Sequence, residues 1–282
     1  MKIGSYNVKS FIAGYLRLDG GAMFGVVPKP LWEMTNPSDE KNRIEMCSRL
    51  LYLDNGKRKI IVDTGSGDKF DDKLKGIYAI DNSIENTEKF LNENKVSREE
   101  ITDVILTHLH FDHCGGTTYK DEEGNLQVTF PNAMHYVQAK HLEWAQNPTL
   151  RDKASFYKDD YELLIQRKQL ELIDGNYKFD NEISLIPLNG HTRSMNLVKI
   201  SDGENTLLYT ADLVPMASHI NLPYVMGYDL FPLITLEEKR YYLTEAAENN
   251  SMLLIEHDPY VECMTIGLKD DKFYVKEKIL IK

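Results

Sequence analysis

Thr107-His108-Leu109-His110-Phe111-Asp112-His113 is the stretch on which the reading of this chain turns. Three of the eight histidines in 282 residues fall within six positions, in the pattern H-x-H-x-D-H, directly after the short apolar run DVIL at 103–106. Neutral imidazoles and a carboxylate suit a borderline divalent ion such as zinc. A strand running into a loop fixes the direction of the first side chains and lets the later ones converge. His108 and His110 project to one face of that strand end, whereas Asp112 and His113 follow the bend. Four adjacent ligands cannot all close one tetrahedron, so the spacing favours two neighbouring ions sharing the turn. As bystanders, four such groups would be costly to bury unpaired.

Further ligands must come from elsewhere, and three candidates each follow a predicted strand. They are His191 in Leu188-Asn189-Gly190-His191-Thr192, Asp212 in Tyr209-Thr210-Ala211-Asp212, and His257 in Leu254-Ile255-Glu256-His257-Asp258. Upstream, Asp63-Thr64-Gly65 closes another strand. His135 and His141 read as surface or satisfied core residues, and Cys114 as a small thiol packed behind the turn.

Around these points the chain alternates strand and helix signals. SRLLYL at 48–53 and KIIV at 59–62 flank Asp54-Asn55-Gly56 and predict a hairpin. Helical spacing follows at Phe70, Leu74 and Ile77 and at Ile84, Phe90 and Leu91, and Ser97 with Glu100 predicts a capping box. Strands are expected at 126–130 and 135–137, helices at 139–145 and 160–170. The second half predicts strands at 183–188, 197–200 and 206–209, a helix at 236–249, and closing strands at 252–255, 265–268 and 272–275. With no repeat and no Pro/Gly/Ser-rich linker, the expectation is a single domain over 1–282 of the α+β (α/β) class. Hairpins mixed with helices in both halves predict two mixed sheets packed face to face with helices outside.

H-x-H-x-D-H, then G-H-T, then T-A-D, then a late strand ending in histidine, preceded by D-T-G, resembles the metallo-β-lactamase fold hydrolases over nearly the whole chain. The resemblance implies an αββα four-layer sandwich with a dinuclear site at one edge of the sheets. Carried over residue by residue, it implies that His108, His110 and His191 hold one metal and that Asp112, His113 and His257 hold the second, with Asp212 bridging. It also suggests Asp63 as a residue orienting a metal-bound imidazole. Zinc is the expected metal, and iron or manganese fit the same ligands. Two such ions lower the pKa of a bridging water toward about 7, so hydroxide attacks without a separate strong base, and Asp112 can steer it and pass a proton to the leaving group.

Two irregular segments, Asp19 to Trp32 and Leu213 to Leu233, rich in Gly, Pro, Met and aromatics, resemble those of the quorum-quenching N-acyl homoserine lactonases and their methyl parathion-hydrolysing relatives. That similarity implies an apolar pocket, with Met23, Phe24, His219 and Tyr224 as its candidate residues. Many lactonases of this group carry a tyrosine three residues after the bridging aspartate, where this chain has Pro215. The expected substrate is a small ester, foremost a lactone such as an N-acyl homoserine lactone; the alternative is a phosphotriester or aryl ester. A reading of a different class is a metal- or ligand-sensing protein without turnover.

Composition narrows the field. The net charge of −11, from 33 basic and 44 acidic residues, argues against nucleic acid. No run of about 18 apolar residues and no leader-like start is visible, and three scattered cysteines fit a reducing compartment, so the expectation is a cytoplasmic protein without membrane association. The segment near Met23 reads alternatively as simple core or as a homodimer contact rather than as a lid over the pocket.

Overall fold

The apolar run Lys59–Val62 pairs antiparallel with the longer strand Arg43–Asp54, Leu51 lying opposite Val62 and Asp54 opposite Lys59. Asp54 Oδ1 accepts the Gly56 N–H at 2.7 Å, which closes the turn between them. The computed structural model describes residues 1–82 and 84–281. Contacts divide the chain into two units: Met1–Leu16 with Ser48–Gly175, and Arg17–Cys47 with Asn176–Lys282.

The first unit is built on the larger sheet, in which Lys59–Val62, Asp103–Ile105, Met134–Gln138 and Leu170–Ile173 run parallel to one another in that order. Lys59–Val62 and Asp103–Ile105, in the middle of the parallel run, are buried on both faces and so read as short apolar stretches rather than alternating ones, whereas the edge strand Leu170–Ile173 leaves Glu171 and Leu172 exposed. Their shared direction has a consequence for chemistry. Strand C-termini collect at one edge, where open α/β sheets bind their ligands: Val62 leads into Asp63, Ile105 into the histidine motif, and Gln138 into the helix Ala139–Gln146 that carries His141. Leu50, Ile61, Val104, Leu106, Leu109, Phe130, Val137 and Leu142 form the core beneath them.

The second unit holds a seven-stranded sheet. Thr206–Tyr209 runs parallel to Met252–Leu254, with Tyr209 opposite Leu254, so the segments leading to Asp212 and His257 leave the sheet side by side. Ile183–Leu188 and Met195–Ser201 form a hairpin whose loop, 189–194, contains His191. The sheet ends in the hairpin Cys263–Lys269 and Lys272–Ile279, where Asp270 and Asp271 both take positive φ (49° and 58°), as a two-residue turn requires. No helix among the described residues is long and apolar enough to cross a membrane.

Three expectations need correction. The helix expected over 160–170 is confined to Glu162–Gln166; Lys168 turns left-handed (φ 56°), and Leu170–Ile173 is the strand that pairs with Met134–Gln138. The segment from Asp19 to Trp32 is not irregular: it contains the short helices Gly20–Phe24, capped by the Asp19 carboxylate on the Ala22 N–H, and Lys29–Trp32, with a proline at its start. Leu213 to Leu233 likewise contains a 3-10 turn at Ala217–Ile220 and the beginning of the helix Pro232–Glu248. The 14-residue strand Tyr6–Asp19 went unread: its ends alternate apolar and polar residues as a half-buried strand does, but the continuous run Phe11-Ile12-Ala13 and Gly14 break that alternation in the middle.

Candidate metal centre

In the first unit the metal-binding chemistry starts from Asp63, which adopts a left-handed backbone (φ 57°) immediately after its strand. That conformation is unfavourable for a residue with a side chain, and aspartate is among the few that tolerate it. It aims both carboxylate oxygens at the histidine motif. Oδ1 accepts the Thr107 N–H at 2.7 Å, and Oδ2 accepts the Thr107 hydroxyl at 2.6 Å and lies 3.2 Å from His113 Nδ1. The loop beyond it interlocks with the end of the motif: Thr64 N–H donates to the His113 carbonyl at 2.7 Å, and a Cβ on Gly67 would stand 2.4 Å from the Gly115 carbonyl oxygen.

His108, His110, Asp112 and His113 are all buried. The His108 ring lies 4.5 Å from that of His110 and 4.0 Å from that of His113. His141 accepts the N–H of Leu109, the residue between two of these histidines, on its Nε2 at 2.8 Å. Beside Asp112, four aromatic rings pack together: Tyr78 stacks on Phe111 at 5.2 Å, while Phe70 meets Phe111 and Tyr157 edge-on, each at 5.3 Å. Burial first, and then the charge of Asp112, raises the Tyr78 phenol above its ordinary value, so it stays a proton donor at neutral pH.

In the second unit Asp212 lies between two histidines. Its Oδ2 is 3.0 Å from His191 Nε2 and its Oδ1 is 3.1 Å from His257 Nε2. Each histidine is held from behind: His191 Nδ1 lies 2.8 Å from Asp229 Oδ1, and His257 Nδ1 lies 2.9 Å from the Cys47 carbonyl. Gly190 is required next to His191, because a Cβ there would meet Thr235 of the C-terminal helix at 2.4 Å.

These contacts test whether the residues fit a metal. The Thr107 hydroxyl has one proton, which it gives to Asp63, so toward His108 Nδ1 at 3.0 Å it can only accept. His108 thus carries its proton on Nδ1 and keeps a lone pair on Nε2. The same holds for His113, His191 and His257, whose Nδ1 atoms face a carboxylate or a carbonyl. Histidines that ligate metals are held in this way. Two ligand atoms about 2.0–2.2 Å from one zinc stand roughly 3–3.5 Å apart, and the two Asp212 contacts have that spacing. Burial alone would lower the His191 pKa, yet Asp212 and Asp229, one on each ring nitrogen, lift it to about 10. A bound ion would supply that positive charge instead. The donor set therefore fits divalent metal.

The pocket candidates form a packed cluster in the second unit. Phe24 stacks on Trp32 at 5.3 Å and on His219 at 4.6 Å, and meets Tyr224 edge-on at 5.8 Å. His219 Nε2 donates to the Met23 carbonyl at 2.8 Å, so that proton is already committed. Met23, Phe24 and His219 are buried, and Tyr224 alone is half-exposed. Pro215 uses its carbonyl to accept the His257 N–H at 3.0 Å.

The sequence profile of the metallo-beta-lactamase superfamily matches residues 49–248, spanning the D-T-G turn, the histidine motif, His191 and Asp212. The chain belongs to this superfamily. It is a metallo-hydrolase with the metallo-β-lactamase fold. A probable metallo-hydrolase of Mycobacterium bovis is 22% identical over 240 residues, covering 77% of this chain and 73% of that protein, and one of Mycobacterium tuberculosis matches equally. Among solved structures, a probable metal-dependent hydrolase from Staphylococcus aureus superposes with a TM-score of 0.89 at 25% identity, covering 99% of this chain and 98% of that one. A dizinc quorum-quenching lactonase in complex with its product, N-hexanoyl-L-homoserine, has a TM-score of 0.78 at 20% identity, covering 100% and 97%.

Thr107, Asp229 and the aromatic group around Phe111 were missed from sequence, while His141, expected as a surface or satisfied core residue, is buried and holds the Leu109 N–H. Asp229 lies inside a segment read only for its apolar residues, and no spacing rule links His141 to a motif some thirty positions earlier.

Proposed function

We propose that this protein is a dinuclear metal-dependent hydrolase of a small ester-type substrate, a lactone of the N-acyl homoserine class. The observation that carries the reading is Asp212, whose two oxygens face two different imidazoles, so that one carboxylate could serve two ions. We assign His108, His110 and His191 to one ion, Asp112, His113 and His257 to the other, and Asp212 to both. Divalent ions bound there would act as Lewis acids and lower the pKa of a water toward about 7.

The chain's own residues then have defined tasks. Asp63, Asp229, the Thr107 hydroxyl and the Cys47 carbonyl fix the histidine tautomers and ring directions. Asp112, buried yet acceptor-only when ionised, orients the attacking water and passes its proton to the leaving oxygen. Phe70, Tyr78, Phe111 and Tyr157 supply an apolar face beside Asp112 that suits an acyl chain. Likeness of fold to the lactonase above supports the substrate class. The same aromatic face favours, as a second reading, a phosphotriester or aryl ester whose flat leaving group would stack on it.

The test is a panel of N-hexanoyl homoserine lactone, an aryl acetate and a dimethyl aryl phosphotriester against zinc- and manganese-loaded protein. The lactone should be turned over with kcat/KM above about 10⁴ M⁻¹s⁻¹, and Asp112→Asn should lower kcat by about 10²–10⁴-fold with metal still bound. Silence across the panel contradicts the proposed ester-type substrate class and leaves the ligand-sensing reading standing.

A further inference from the structure

Glu238 and Lys239 are consecutive on the helix Pro232–Glu248 and hold two loops through opposite charges. Glu238 accepts the N–H groups of Asn189 at 2.7 Å and Gly190 at 3.0 Å, the two residues before His191. Lys239 is 1% exposed and donates Nζ to three carbonyls, Asn221 at 2.9 Å, Leu222 at 3.3 Å and Tyr224 at 2.8 Å. Its three ammonium protons thus meet three carbonyls, and among the described residues no carboxylate pairs with it.

Those carbonyls occupy the middle of a strap that leaves Asp212 and returns at Asp229. The two aspartates at its ends face the two ring nitrogens of His191, at 3.0 Å and 2.8 Å. The strap also gives the N–H groups of Leu230 and Phe231 to the carbonyls of His191 and Gly190, at 3.0 Å and 2.9 Å. Carbonyl oxygens converging on one point repel each other unless a cation sits among them. Stability alone does not call for a cation here. Burial lowers the Lys239 pKa to about 7 against the attraction of Asp229, and an apolar side chain of similar length would cost less to bury.

We infer that Lys239 is a positioning residue for the half-site at His191: its ammonium gathers the three carbonyls, sets the path of the strap, and so fixes the separation at which Asp212 and Asp229 grip the imidazole. The inference deepens the metallo-hydrolase reading and rests on it. Glu238 complements it by holding the loop on the other side of the same histidine.

The test titrates zinc into metal-free wild type, Lys239→Met and Lys239→Ala against a chromophoric chelator, and follows limited proteolysis of residues 213–231 in each. Lys239→Met should remain folded, bind one of the two zinc ions about 10–100-fold more weakly, and be cut in the strap at least tenfold faster. Propylammonium should restore zinc affinity to Lys239→Ala in a saturable manner, while 1-propanol should not. Wild-type zinc affinity and cleavage rate in Lys239→Met overturn the inference. Equal rescue by the alcohol also overturns it, because that result means the side chain acts by filling space. Uptake of fewer than two zinc ions by wild type contradicts the metal reading and the inference with it.

Discussion

Asp63 and Thr107 are joined twice, through the backbone N–H of Thr107 at 2.7 Å and through its hydroxyl at 2.6 Å, both to the carboxylate of Asp63. The second bond decides the tautomer of His108, and the same carboxylate oxygen faces His113. One aspartate thereby sets two histidines of the motif. Asp63→Asn replaces one of the two acceptor oxygens by a donor NH₂. It should weaken zinc binding by about 10–100-fold, read by chelator competition, and leave the Thr107 N–H bond in place.

His141→Leu removes the acceptor for the Leu109 N–H and leaves that donor buried without a partner. The expected loss is about 1–3 kcal/mol of folding free energy, measured by urea unfolding of the metal-free protein. His141→Gln, which can still accept, should recover part of it. Equal stabilities for the leucine variant and wild type would show that the contact is not stabilising.

Tyr78 presents a phenol kept protonated by burial and by Asp112, on an aromatic face next to that residue. Tyr78→Phe keeps the stacking on Phe111 and deletes only the donor. If the phenol binds the substrate oxygen as its charge develops, kcat should fall by about tenfold or more with KM little changed. A change confined to KM would assign Tyr78 to substrate packing alone.

His135 and His219 are buried as neutral imidazoles. Burial lowers His135 to about 4 against the backbone of Gln169 and Ala133, and lowers His219 to about 3 against the Met23 carbonyl. Unfolded, each titrates near 6.5. Because the folded values lie below the unfolded one, the associated stability is complete above pH 6.5 and is lost as pH falls toward 4 and 3. Between pH 7 and 4.5 this amounts to about 2–3 kcal/mol per histidine. Urea unfolding of metal-free protein at both pH values should show a drop that shrinks by about that amount in His135→Leu. An unchanged drop would contradict the assignment.

The parts of the fold legible in the sequence were those where one physical signal dominates. The hairpin around Gly56 combines two short apolar runs with turn residues that tolerate an unusual backbone, and the apolar run before His108 reads directly as a buried strand. The long strand Tyr6–Asp19 and the strand Leu170–Ile173 were not legible, because the first loses its alternation over Phe11–Gly14 and the second continues a helical pattern until Lys168 breaks it. At the site, candidate ligands stood out because histidines are few and fall at strand ends. The groups that orient them did not. Asp229, His141 and the Cys47 carbonyl are brought to their histidines by the meeting of strand ends within each unit, and Lys239 reads in sequence as one more charge on an exposed helix face.

In the proposed site seven side chains hold two ions. Metal content of protein purified without chelator, measured together with protein concentration by amino-acid analysis, tests it most directly. Two equivalents of divalent metal per chain are expected, falling to one or fewer in Asp212→Ala, with hydrolytic activity lost on chelation and restored by zinc or manganese. One equivalent or less in the wild-type protein, with activity indifferent to chelation, would contradict it.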